Sequence, residues 1–126
     1  MDAISIIGVV LALIAVVVSI VIYLKELRRS RLTDTIREIN ELFDFYHNMK
    51  DKKDYKERIH FMSKVDRFAV AVNEKLYDKK MTKRRAGKFL LRLYDDFMDE
   101  YIAQRRNQFG DDSYYENIVL LIEKLK

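Results

Sequence analysis

Two histidines, no cysteine and three isolated glycines limit the chemistry this chain can do. Glu57 and His60 have the E-x-x-H spacing with which helix bundles hold paired metal ions, but such sites take a second E-x-x-H and further inward carboxylates. The other histidine, His47, is preceded at that distance by Asp44, which gives only D-x-x-H. No metal site is expected, and His60 should be solvated or partly packed. Glycines at 8, 87 and 110 are too far apart to cradle a phosphate, and no Ser/His/Asp or Cys/His set has the spacing of a nucleophilic site. The acids Asp95, Asp96, Asp99 and Glu100 spread over more than one helix face, and pairing of Asp96 with Arg92, four residues earlier, accounts for part of them. Asp66 interrupts an apolar stretch where an unpaired carboxylate is costly, so it should face solvent or meet an arginine such as Arg92 or Arg105. These residues predict neither an enzyme nor a bound cofactor.

Charge is the more telling property. All 24 Lys and Arg lie beyond residue 24, together with 19 of the 20 Asp and Glu, which leaves that part with five excess cations. Lys79, Lys80, Lys83, Arg84, Arg85 and Lys88 gather in ten residues, and Arg105 and Arg106 follow later. The cluster reads either as a solvated helix start or as a contact for anionic lipid or a protein. Nucleic acid is not the expected partner, because no aromatic residues are interleaved on the same face and no docking motif is present.

The element that must position everything else is residues 3–24, AISIIGVVLALIAVVVSIVIYL, which carry no charged side chain. As a helix they extend roughly 33 Å, matching a hydrocarbon core of about 30 Å. A cleavable secretory signal would begin with a basic region and end at a small-residue site. Here only Asp2 precedes the run, and Tyr23, Leu24, Lys25 and Glu26 follow it, so residues 1–24 are expected to remain as a membrane anchor. Lys25, Arg28, Arg29 and Arg31 fall on one side, within a basic juxtamembrane segment, residues 25–31. That bias predicts a single pass through an inner or plasma membrane, with the N-terminus outside, Tyr23 at the inner interface and residues 32–126 in the cytoplasm. The four cations serve as a topology signal, and each near an anionic leaflet also contributes about 1 kcal/mol of attraction. Ser5, Gly8, Ala12, Ala15 and Ser19 recur by 3, 4, 3 and 4. That is the seam of a left-handed helix pair, in which small side chains let two membrane helices approach.

Beyond the anchor, the scarcity of glycine and the absence of proline imply long helices and short connections. The lack of cysteine suits a cytoplasmic setting. Leu32, Ile36, Ile39, Phe43 and Tyr46 form one amphipathic stripe, with Thr33 or Thr35 as its cap and residues 50–54, KDKKD, as the next connection. A helix over residues 55–76 is predicted to bury Ile59, Met62, Val65, Ala69, Val72 and Leu76, with Phe61 and Phe68 beside them. Residues 77–80 turn the chain, with Asp78 as a cap. A helix over residues 81–108 buries Ala86, Phe89, Leu90, Leu93, Phe97, Tyr101 and Ile102 and stops at Gly110. Ser113 and Glu116 then make a capping box ahead of Ile118, Leu121, Ile122 and Leu125. The fold class is all-α: one N-terminal transmembrane helix followed by a small bundle of about four helices, closed on itself or completed by a second copy.

The segments VDRFAVAV (65–72), LYDKKM (76–81), LRLYDDFMDEYIAQRR (91–106) and YYENIVLLIEKL (114–125) resemble a family of small bacterial and phage single-pass membrane proteins of unknown function. The more distinctive parts are YIAQRR and YEN. The resemblance implies a membrane setting with a cytoplasmic helical domain and assigns no activity. If Tyr101, Arg105, Arg106, Tyr115 and Glu116 meet, they would lock the last two helices together. The expected function is a membrane-anchored, non-enzymatic interaction module that binds a protein partner or its own copy, with phage defence or superinfection exclusion as a setting by family analogy. The alternative is a small effector whose oligomerised membrane helices change permeability.

Overall fold

In the computed structural model residues 2–49 and 55–126 are described, and every regular element among them is helical. The predicted connection at residues 50–54 lies outside the described residues. In chain order the elements are α1 (Ala3–Met49), α2 (Tyr55–Asn73), α3 (Lys79–Leu93), a π-helical turn (Tyr94–Met98), α4 (Asp99–Phe109) and α5 (Glu116–Leu125). Two compact units result, Met1–Arg31 and Leu32–Lys126.

The first unit is the apolar part of α1. Its start is capped by the Asp2 carboxylate, which accepts the Ser5 N–H at 2.8 Å. Every residue from 2 to 31 is exposed, so none of the described residues covers this helix. The basic segment at residues 25–31 does not break it. No helix therefore starts at Thr33 or Thr35, and neither residue caps one; Thr35 is instead fully buried.

In the second unit the helices enclose a core by their apolar stripes. The stripe of α1 is turned slightly from the predicted one: Thr35, Ile39, Leu42 and Met49 are buried, whereas Leu32, Ile36, Phe43 and Tyr46 are half-buried. From α2 come Phe61, Met62, Val65, Phe68, Ala69 and Val72, while Ile59 is half-buried. This helix ends three residues before the predicted Leu76, which is 66% exposed. The stop is a Schellman turn. Lys75 takes a left-handed φ of 64°, Leu76 N–H bonds to the Ala71 carbonyl at 2.8 Å and Lys75 N–H to the Val72 carbonyl at 3.0 Å.

Asp78 caps α3, its carboxylate accepting the Met81 N–H at 2.7 Å. The buried positions then run Thr82, Ala86, Leu90, Leu93, Met98, Tyr101 and Ile102. In an unbroken α-helix Met98 would lie about 140° around from Leu93. The π-helical turn takes up one extra residue between them, which returns Met98 to the core and leaves the predicted Phe97 half-buried. Gly110, with φ 63°, ends α4 as predicted. The last helix buries Ile118, Leu121, Ile122 and Leu125, but the predicted capping box does not form. Ser113 is drawn away, its N–H and hydroxyl both donating to Asp111 Oδ1 at 2.9 and 2.6 Å, and Tyr115 precedes the helix in a left-handed conformation. Asn73 ties α2 to α5 by donating to the Asn117 carbonyl at 3.0 Å and accepting from Lys124 Nζ at 3.1 Å.

Candidate functional site

Ser5, Gly8, Ala12, Ala15 and Ser19 are all exposed on α1. A Cβ added at Gly8 meets nothing within 4 Å, and the Ser19 hydroxyl folds back on the Ala15 carbonyl at 2.9 Å, leaving a shallow strip of small groups. Lys25, Arg28, Arg29 and Arg31 continue the same helix and are exposed.

On α3, Thr82, Ala86, Gly87, Leu90 and Leu93 are buried, and the opposite side of the helix faces solvent. Lys79, Lys80, Lys83, Arg84, Arg85 and Lys88 are all exposed there, and among the described residues none of the six makes an ion pair or a side-chain hydrogen bond. The start of this helix is fixed by a polar knot in the core. Asp78 donates its N–H to the Thr35 hydroxyl at 2.9 Å, and its carbonyl accepts the Thr82 hydroxyl at 2.7 Å. Thr35 and Thr82 are both fully buried.

Aromatic rings join α1 to its neighbours. Phe89 meets Phe43 and Tyr46 edge-on, with centroids 4.6 and 5.4 Å apart, and Phe61 lies between Tyr46 and Phe97 at 5.8 and 6.1 Å. Phe43, Tyr46, His47, Phe89, Arg92 and Leu93 line an open apolar groove of about 350 Å³. A second groove of about 320 Å³ is polar, with Glu38, Glu41, Lys64 and Arg67 around Tyr77. Burial, then Glu38 and Asp34, raises the Tyr77 phenol above its ordinary range.

Tyr101, Arg105, Arg106 and Tyr115 do come together. Arg105 Nε donates to the Tyr101 hydroxyl at 3.2 Å, and its guanidinium lies over the Tyr101 and Phe109 rings at 5.3 and 5.8 Å. Arg106 Nε holds the Tyr114 carbonyl at 2.9 Å, and Tyr101 and Tyr115 rings are 6.0 Å apart. Burial and the neighbouring Tyr101 raise the Tyr115 phenol, which stays neutral. Glu116 is exposed and takes no part. The cluster closes the turn between α4 and α5. The stack of Phe109 on Tyr114 at 5.3 Å has no signature in the sequence, because it depends on the conformation of the intervening turn.

His60 is exposed and Glu57 half-buried, and no group of three or more metal-ligating side chains occurs among the described residues. Asp66 is half-buried and meets neither Arg92 nor Arg105; partial burial alone raises its carboxyl above the ordinary range. The expected Arg92–Asp96 pair is likewise not formed, both side chains standing in solvent.

Comparison with curated proteins and with solved structures returns no match. A family model, described as a domain of unknown function (DUF4760), matches residues 3–125 and so takes in both the apolar helix and the bundle.

Proposed function

The chain belongs to the DUF4760 family, and from that premise we propose that it is a single-pass membrane protein whose helical bundle is an interaction module in the cytoplasm. One observation carries this reading: α1 is apolar and wholly uncovered over its first part, yet the same helix contributes Thr35, Ile39, Leu42 and Met49 to a well-filled core. An uncovered apolar helix of this length is stable in lipid and a liability in water. The cations at residues 25–31 then set the cytoplasmic side. Support for a binding rather than a catalytic role comes from the exposed, unpaired cations of α3 and the open aromatic groove. The strip from Ser5 to Ser19 provides for self-association in the membrane. The family's bacterial or phage setting and a part in phage defence or superinfection exclusion belong to the same proposal, by analogy.

The chain has no cysteine, so topology is readable by single-cysteine labelling. Asp2→Cys should react with a membrane-impermeant maleimide in intact cells, and Asn107→Cys only after permeabilisation. Recovery of the full chain in the soluble fraction after an alkaline wash overturns the reading. Crosslinking of the full chain in cells, repeated with Gly8→Leu and Ala12→Leu, tests self-association. Because Gly8 faces open space within the chain, a lost crosslink reports on a second molecule. Dye leakage that depends on those positions, without capture of any protein by the bundle, favours the permeability effector instead.

A further inference from the structure

The geometry points to a second membrane contact: the cluster of Lys79, Lys80, Lys83 and Arg84 docks on the anionic headgroups of the leaflet that the bundle faces. This rests on the anchoring reading above and specifies what one surface of the bundle binds.

Placement within the second unit carries the argument. Asp78 is hydrogen-bonded to Thr35, and Phe89 packs on Phe43 and Tyr46, so α3 runs alongside α1 in the same direction. The basic first turns of α3 are therefore level with Thr35, at the end of the unit where the chain arrives from the apolar segment, and Phe89 lies at the other end. Only eleven residues of chain separate Leu24 from Thr35, so that end of the unit is tethered close to the anchor. Screening at physiological salt acts over about 8 Å, so the attraction works where the tether lets the cations reach the headgroups.

The charge balance there is favourable. Residues 79–88 contain six cations and no acid. Acids near the start of α3 include Asp34, held by Arg37 at 3.2 Å, Glu38 and Glu41, which share the groove of Tyr77 with Lys64 and Arg67, and Asp78, occupied as the cap of α3. No aromatic residue occurs within residues 79–88, so the surface offers charge without the stacking platforms of a nucleic-acid site.

The test uses the full chain reconstituted in vesicles of phosphatidylcholine, with or without phosphatidylglycerol, and an acceptor dye on a minor headgroup-labelled lipid. Leu76→Cys, exposed two residues before Asp78, carries the donor dye, and Asn48→Cys reports from the far end of the unit. Phosphatidylglycerol should raise energy transfer from position 76 and leave position 48 unchanged. High salt should reverse the rise, as should the combined Lys79→Gln, Lys80→Gln, Lys83→Gln and Arg84→Gln variant, each cation being worth about fivefold in the docked population. Equal transfer in neutral and anionic vesicles, with the chain retained after alkaline washing, overturns the docking while the anchor stands. Loss of the chain on washing overturns both. Capture of a labelled RNA by the intact cluster, with transfer unaffected by lipid, overturns the docking and assigns the cluster to nucleic acid.

Discussion

The Thr35 hydroxyl accepts the Asp78 N–H at 2.9 Å, joining a buried position on α1 to the residue that starts α3. Asp78 in turn takes the Thr82 hydroxyl and N–H on its carbonyl and the Met81 N–H on its carboxylate, so one residue joins four hydrogen bonds at the edge of the core. Removing one partner of a buried bond leaves the other unsatisfied at a cost of about 1–3 kcal/mol. Thr35→Val keeps the shape and removes the acceptor, and it should lower unfolding free energy by that amount in denaturant titrations. Because α3 presents the basic cluster, the same variant should also weaken the lipid dependence of the label at position 76. An unchanged midpoint would show that water replaces the bond.

Two helix ends use a left-handed residue with opposite fitness for it. Lys75 holds φ 64° at the end of α2, and Gly110 holds φ 63° at the end of α4. A side chain in that region costs roughly 1–2 kcal/mol, which glycine avoids. Lys75→Gly, at an exposed site, should stabilise the bundle by about 1 kcal/mol, and Gly110→Ala should destabilise it by about as much. Thermal unfolding of the full chain in detergent gives both, and shifts of the same sign would refute the argument.

The same two residues show what sequence can and cannot carry. Gly110 announces a helix stop by its type; Lys75 makes an equivalent turn with a residue that gives no such signal, so the apolar period alone extends α2 to Leu76. The four apolar stripes followed from period alone, because burial of one helix face is a local pattern. The π-helical turn did not, since the extra residue between Leu93 and Met98 preserves the pattern of apolar types while changing which of them face inward. Thr33 or Thr35 reads as a cap because threonine at a helix start satisfies the helix's own N–H groups. In a helix that does not start there, the Thr35 hydroxyl accepts from Asp78 across the bundle. Of the candidate surfaces, the basic cluster was visible as a run of types, but its level beside Thr35 depends on a contact 43 residues apart in the chain.

If the π-helical turn is one residue inserted into an otherwise regular helix, deleting an exposed residue from it should restore regular winding without turning either flank from the core. Deletion of Asp96 is expected to keep cooperative unfolding, within about 1 kcal/mol of the parent. Deletion of Arg85, equally exposed, should behave differently: it rotates Thr82 and the preceding turn by about 100° relative to Ala86 and draws Asp78 away from Thr35. Loss of cooperativity in both variants would mean that the turn is required for the fold rather than accommodated by it.

Asp66 gives the pH dependence its sign. Burial raises its folded-state carboxyl above the ordinary value of 3.8. Below that value the group is protonated in both folded and unfolded chains and exerts no penalty. As pH rises through the raised folded value, the unfolded chain ionises more readily than the folded one, stability is lost, and the deficit persists at neutrality. Asp66→Asn should therefore raise the unfolding temperature at pH 7, with the difference from the parent shrinking to nothing as pH falls below 3.8. The side chain still touches water, so solvent screening keeps the gain under about 1 kcal/mol. A difference of constant size across that pH range would assign the effect to packing of the amide, and a lower unfolding temperature at pH 7 would mean that the ionised carboxylate is favourably held.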